Sequence, residues 1–151
     1  MRYDLVAVRD RKIKAFLDTN VLLEYIAGKP EIRRLFSQEV RDRAAFAINA
    51  VVLQELLLVR NESPNEVDLT AVIPFLEVLG AGVDLASPEM QAELRRLRSY
   101  VAHSNDVFVL AGARACDVLL TYDHQLLTVG EEADVRSETP EEFLHELDNA
   151  A

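Results

Sequence analysis

The chain has 151 residues, half of them hydrophobic, with five Gly, five Pro and one Cys, which suits a single globular domain and leaves little material for a second. Lys and Arg number 16 against 26 Asp and Glu, a formal net charge of −10, so unspecific adhesion to nucleic acid is disfavoured, although a local basic patch or a bound cation can outweigh net charge at a site. The lone Cys116 excludes an intramolecular disulfide and a thiolate-rich zinc centre, and His103, His124 and His145 lack metal-ligand spacing, so any metal must be held mainly by oxygen.

Residues 1–12 mix charged and apolar side chains without clear periodicity and read as an N-terminal arm or an extra edge segment. They lack the long apolar core of a signal peptide, and no apolar run approaches the roughly 18 residues of a membrane span. A cytoplasmic protein with no membrane association is expected. Ile13 to Leu17 is a short apolar run that stops on Asp18, followed at once by Val21, Leu22, Tyr25 and Ile26 at helical spacing. Gly28 closes that helix and Pro30 opens another through about Gln38. A strand running directly into a helix marks an α/β domain, in which ligands sit beyond the carboxyl ends of the strands.

Ala44 to Ile48 reads as the next strand, with Asn49 placed to cap a helix from Ala50 to about Arg60. That helix is apolar nearly all round, as expected for an element packed on both sides. Gln54 and Glu55 are its only polar residues before Arg60; they form either a narrow solvent edge or, since a half-buried carboxylate needs a partner, part of a site. Ser63-Pro64-Asn65-Glu66 is a capping box that begins a helix, kinked at Pro74 and closed by Gly80. Gly82 to Ala86 reads as a strand. Ser87-Pro88 then opens a helix with Met90, Leu94, Leu97 and Val101 on one stripe and Arg95, Arg96 and Arg98 largely off it. Those arginines are a solvated face or a phosphate-contacting patch for RNA.

Asn105-Asp106 opens a helix from Val107 to about Ala115, where Asp106 could simply complement the helix dipole. Cys116 reads as a small buried residue. Val118 to Thr121 is another apolar strand ending on an acid, Asp123, and one such aspartate is ordinarily a turn or cap residue. Two strand-end aspartates together with Asp106 and Glu55 are harder to explain that way. The chain closes with an edge strand around Ala133 to Val135 and a helix begun at Thr139-Pro140, packing Phe143, Leu144 and Leu147 inward.

The motifs Leu17-Asp18-Thr19-Asn20-Val21-Leu22, Val52-Leu53-Gln54-Glu55-Leu56, Asn105-Asp106 before Val109-Leu110-Ala111, and Leu120-Thr121-Tyr122-Asp123 stand in the order and rough spacing of a PIN domain. From about Ile13 to Leu147 the chain resembles the bacterial PIN proteins that include VapC-type toxins. The resemblance implies an α/β/α sandwich on a parallel sheet of strand order 3-2-1-4-5, filling residues 1–151 as one domain, and metal-dependent cleavage of RNA. It implies Asp18, Glu55, Asp106 and Asp123 as the acidic quartet, with Asn20 and Thr121 supporting it. It also implies a small antitoxin protein as partner and a homodimer. Many relatives carry a further acid two residues after the last aspartate, where this chain has Gln125.

Carboxylates about 5 Å apart repel by about 3 kcal/mol at an effective dielectric of roughly 20, so four of them either protonate in part or bind a cation. Hard oxygen ligands suit Mg²⁺ or Mn²⁺, and phosphodiester hydrolysis is the reaction such a site would carry. Two rivals stand beside this reading. A haloacid-dehalogenase-type phosphatase needs an aspartate where this chain has Asn20, and a PIN-like module could bind RNA or a protein without cutting.

Overall fold

The computed structural model describes residues 11–62, 72–79, 87–101 and 103–150. Strand β1, Ile13–Leu17, leads into α1, Thr19–Ile26, with only Asp18 between them. Short helices α2, Pro30–Leu35, and α3, Gln38–Arg41, precede β2, Ala44–Asn49, and α4, Ala50–Glu62. A single 3₁₀ turn at Ile73–Phe75 runs into β3, Leu76–Leu79; then come α5, Pro88–Arg98, α6, Ser104–Ala113, and β4, Val118–Leu120. The chain ends with α7, His124–Val129, β5, Ser137–Glu138, and α8, Pro140–Asn149.

The five strands form one sheet of order β3-β2-β1-β4-β5, with every pairing parallel. This is the expected 3-2-1-4-5 order. Central strands of a parallel sheet must be covered on both faces, and β1 and β4 are buried along their whole length apart from Lys14. Helix α6 lies across β1, β2 and β4 and is flanked by α4 and α5, while α2 packs on α8. The core runs through Phe16, Phe46, Ile48, Leu110, Leu119 and Phe143, each no more than 2 % exposed. Each such side chain contributes about 1.5–3 kcal/mol by leaving water.

Two glycines make this packing possible. Gly28, at φ +82, takes the left-handed conformation that ends α1 and turns the chain toward Pro30. Gly112 lets α6 approach the sheet: a Cβ there would sit 2.6 Å from the Phe16 ring and 3.0 Å from Asn49 Nδ2. Asn49 uses the same closeness, donating from Nδ2 to the Phe108 carbonyl at 2.9 Å while its Oδ1 accepts the Val52 amide at 3.1 Å. It thus caps α4, as expected, and ties it to α6.

Several boundaries differ from the sequence expectation. The helix expected from Pro30 to Gln38 is two helices, because Phe36 leaves the helical path and Ser37 starts again by capping the Val40 amide. The expected helix through Pro74 is absent from residues 72–79, which form the 3₁₀ turn and the edge strand β3 instead. Proline fixes its own φ and steers its predecessor away from helix, and β3 gains a full ladder against β2 from Phe46↔Leu76 to Asn49↔Leu79. The capping box at 63–66, the strand expected at Gly82–Ala86 and residues 1–10 lie outside the described residues. Helix α5 stops at Arg98, so Val101, although 4 % exposed, packs from the turn beyond it. The last strand is Ser137–Glu138 and not Ala133–Val135, since Asp134 adopts φ 57 and breaks any extended run there. Helix α4 is not covered all round: Val52 and Leu56 are buried, whereas Leu57 and Leu58 are 47 % and 57 % exposed.

Candidate active site

The crevice at the carboxyl ends of β1 and β4, the two strands at the middle of the sheet, is where the chain reverses its winding direction. Asp18 sits at this point as the N-cap of α1, with backbone φ −73 and ψ 156. Its Oδ1 accepts the Thr19 amide at 2.8 Å, and its Oδ2 accepts the Thr121 hydroxyl at 2.8 Å and Asn20 Nδ2 at 3.1 Å. Asn20 Nδ2 also reaches Thr121 Oγ1 at 3.3 Å, and its Oδ1 accepts the Tyr122 amide at 3.1 Å. Thr121 Oγ1 in turn accepts the Asp123 amide at 2.9 Å. Asn20 and Thr121 therefore join the two strand ends and hold the Asp18 carboxylate in one orientation.

Asp123 caps α7, its Oδ1 accepting the amides of Gln125 at 2.8 Å and Leu126 at 3.2 Å. Asp106 lies in the first turn of α6 and Glu55 on the half-buried side of α4, while Gln54 is exposed. The four acids act on one another. Burial pushes the Asp18 carboxyl up to about 6, with the charges of Asp106 and Glu55 adding to it against the hydrogen bonds from Thr121 and Thr19. Asp106 is raised by burial first, then by the charges of Asp123 and Glu55, with His103 opposing them. Asp106 is thus the group through which the Asp18 side and the Asp123 side interact electrostatically.

Among the described residues, no three or more His, Cys, Asp or Glu side chains are gathered into a ready-made metal cage. The donor set nevertheless fits a hard divalent cation: it is all oxygen, burial and neighbouring acids raise Asp18 and Asp106 from their ordinary values, and Mg²⁺ keeps several waters and needs few protein ligands. Asp18 retains little exposure, 7 %, with its oxygens already bonded to Thr19, Asn20 and Thr121.

The other candidates separate. Arg96 is drawn to Glu93, at 2.9 Å, and covers the Tyr100 ring, whereas Arg95 and Arg98 are exposed on α5. Gln125 is exposed beside Asp123, with Nε2 3.5 Å from the Tyr100 carbonyl. Cys116 is half-buried and its thiol is pushed up to about 11, chiefly by burial, which fits a structural residue and not a nucleophile. Sequence reasoning passed over Tyr122. Its hydroxyl donates to Glu141 Oε1 at 2.6 Å and Lys29 Nζ lies 4.9 Å over its ring, itself 3.7 Å from Glu141. No periodicity signals such a contact between the segment after β4, the residue before α2 and helix α8; only its place between Thr121 and Asp123 could have drawn attention to it.

A sequence profile described as PIN domain matches residues 15–132. No curated protein sequence matches the chain. Among solved structures, VapBC2 from Rickettsia felis, bound to a DNA fragment from its promoter, is similar with TM-score 0.65 and 18% identity over 84% of this chain and 98% of that one. A toxin–antitoxin complex from Klebsiella pneumoniae is similar with TM-score 0.60 and 18% identity over 83% and 97%. FitAcB from Neisseria gonorrhoeae follows with TM-score 0.57 and 19% identity over 83% and 97%.

Proposed function

The chain belongs to the PIN domain family, and from that membership and the acids around Asp18 we propose that it is a Mg²⁺- or Mn²⁺-dependent ribonuclease that hydrolyses RNA phosphodiester bonds. The observation that carries this reading is the buried Asp18 carboxylate, oriented by Thr121 and Asn20 and raised to about 6 in the company of Asp106 and Glu55. A structural cap has no need of that company. A group of like charges kept together in this way is stabilised when a cation binds among them.

Asp18 and Asp106 are the direct ligands in this reading, with Glu55 and Asp123 completing the shell or orienting its waters. A bound divalent ion would supply an acidified water and neutralise charge on the scissile phosphate. The chain's own residues do the rest. Thr121 and Asn20 hold Oδ2 of Asp18 and the Thr19 amide holds Oδ1, so the carboxylate is kept in one orientation. Asp123, bonded to α7 through Oδ1, leaves Oδ2 for a water or the ion. The apolar floor of Leu17 and Leu120, both fully buried, keeps bulk water from beneath the acids.

The neighbour described as a toxin–antitoxin complex supports the further reading that this chain is the toxin of such a pair, with an antitoxin protein as partner. Exposed Leu57 and Leu58 on α4 offer apolar surface for that partner or for a homodimer. Membrane insertion is not part of the reading: among the described residues no helix is long and apolar enough to cross a bilayer.

The test is cleavage of a labelled single-stranded RNA panel in Mn²⁺, Mg²⁺ or EDTA, beside Asp106→Asn purified identically. Metal-dependent cutting by the parent and none by the variant is the expected result. Equal cutting by both would point to a contaminant, and no cutting by folded, partner-free protein would favour a PIN-like module that binds without catalysis.

A further inference from the structure

A chain of net charge −10 that handles RNA needs a place where phosphate is not repelled. Over much of the described surface, cations are met by carboxylates: Arg11 by Asp117 at 2.7 Å, Lys14 by Glu77 at 3.1 Å, Arg34 by Asp148 at 2.5 Å, and Lys29 by Glu141 at 3.7 Å. The last turn of α5 is one of the places where this pairing is incomplete. Arg96 lies between Glu93 at 2.9 Å and Asp134 at 3.9 Å, and Arg114 also pairs with Glu93, so these two cations are met by two carboxylates. Arg95 and Arg98 have no ion-pair partner among the described residues, and both are exposed. Among the described residues Arg98 donates to the Val101 carbonyl, a neutral acceptor that fixes the guanidinium's position without cancelling its charge.

That position adjoins the acids. Ser99 to Val101 follow α5 and His103 is the N-cap position of the helix that carries Asp106, and Gln125 Nε2, which approaches the Tyr100 carbonyl, belongs to the helix capped by Asp123. From these contacts we infer that Arg95 and Arg98 form the entry track for single-stranded RNA, each contacting a backbone phosphate on the Asp106–Asp123 side of the crevice. Arg96 is excluded from the track, because its guanidinium is fixed on Glu93 and over Tyr100. The track reads backbone and not base, since a guanidinium on a phosphate carries no sequence information. A bland alternative exists for the same residues: arginines in the last turn of a helix complement its dipole. That role affects the stability of α5 and does not extend to RNA.

This inference rests on the ribonuclease reading, and binding separates the two. In an Asp106→Asn background in EDTA, which prevents cutting, the affinity of a short fluorescent oligouridine is measured over a range of salt concentrations. Arg95→Gln and Arg98→Gln should each weaken binding by about threefold or more and reduce the log–log salt slope by about 0.7, the loss of one single-strand phosphate contact. Arg34→Gln, which removes the same charge away from the crevice, should change neither appreciably. The track is overturned if the double variant Arg95→Gln/Arg98→Gln binds like its parent, if Arg34→Gln weakens binding equally, or if the parent binds no RNA but holds an acidic peptide through the same arginines. Metal-dependent cutting by the unsubstituted chain is scored separately. If it cuts while the double variant binds normally, the track fails and the nuclease reading stands.

Discussion

Thr121 Oγ1 donates to Asp18 Oδ2 at 2.8 Å and accepts the Asp123 amide at 2.9 Å, so one buried hydroxyl sets the orientation of one acid and the backbone position of another. Thr121→Val keeps the shape and removes both bonds. Loss of such an orienting group typically weakens metal affinity by about 10–100-fold, and an Mn²⁺ titration of the variant should fall in that range. Denaturant unfolding without metal should show a loss of about 1–3 kcal/mol from the unsatisfied carboxylate. Unchanged Mn²⁺ affinity would mean that Asp18 is not a ligand.

Asp18 also gives the metal-free protein a pH dependence. Its carboxyl moves from 3.8 to about 6 on folding, so the native state binds more protons than the unfolded state between those values. Stability from this group is fully present below pH 4 and is lost as pH rises through 6, by up to about 3 kcal/mol. Buried Glu138, raised chiefly by burial despite its pairing with Arg136, acts in the same direction. Urea unfolding of the metal-free chain should therefore lose stability as pH rises from 4 to 7, and Asp18→Asn should flatten the lower part of that slope. A slope unaltered in Asp18→Asn would show that the carboxyl titrates normally.

Asp106→Asn should raise the melting temperature of the metal-free protein, because it relieves repulsion with Asp123 and Glu55, and should reduce the stabilisation given by Mn²⁺. A lower metal-free melting temperature with an undiminished Mn²⁺ response would assign Asp106 to helix-dipole complementation alone.

Gly112→Ala should destabilise the fold by about 1–3 kcal/mol. The added methyl meets the edge of the Phe16 ring in the fully buried centre of the sheet, so either the ring or α6 must shift. A shift of α6 carries Asp106 with it, and weaker Mn²⁺ binding should accompany the stability loss. Calorimetry and metal titration on the same sample check both.

Tyr122→Phe removes the 2.6 Å bond to Glu141 and leaves the ring beneath Lys29. About 1 kcal/mol of stability should go with it, with a small decrease in Mn²⁺ affinity because Tyr122 lies between Thr121 and Asp123. A loss much larger than this would mean that the hydroxyl anchors α8 as a whole.

The alternation of apolar strand and acid at Leu17-Asp18 and Leu120-Thr121-Tyr122-Asp123 is enough to give the α/β class, whereas the strand order comes only from the PIN-domain resemblance that the four motifs carry. Local chemistry sufficed wherever one residue decided the outcome, as at Asn49, Gly28 and Thr139, whose hydroxyl caps α8. It failed where tertiary contacts outvoted local signals. Leu76 to Leu79 follow a proline in a stretch that could be helical, and the ladder with β2 makes them a strand. Ala133 and Val135 are buried like strand residues, yet Asp134 between them turns the backbone left-handed. The sharing of Glu93 by Arg96 and Arg114 is a meeting of separate helices, and neither charge nor spacing along the chain announces it.

Asp18 and Thr121 are 103 residues apart in the chain, and β1 acquires its β4 neighbour only through that long connection. During synthesis the first strand and its acid emerge early, but the hydroxyl that aims the acid is not yet made, and neither is the strand that closes that side of the crevice. Long-range parallel pairing is slow to form and follows local structure. A chain that lacks β4 therefore has Asp18 without its Thr121 partner. Ribosome-bound chains stalled before Val118 should show no Mn²⁺-dependent protection from proteolysis, and chains released after α8 should show it. The topology itself works as a timer, delaying the joining of Asp18 to Thr121 until β4 and the residues after it have left the ribosome.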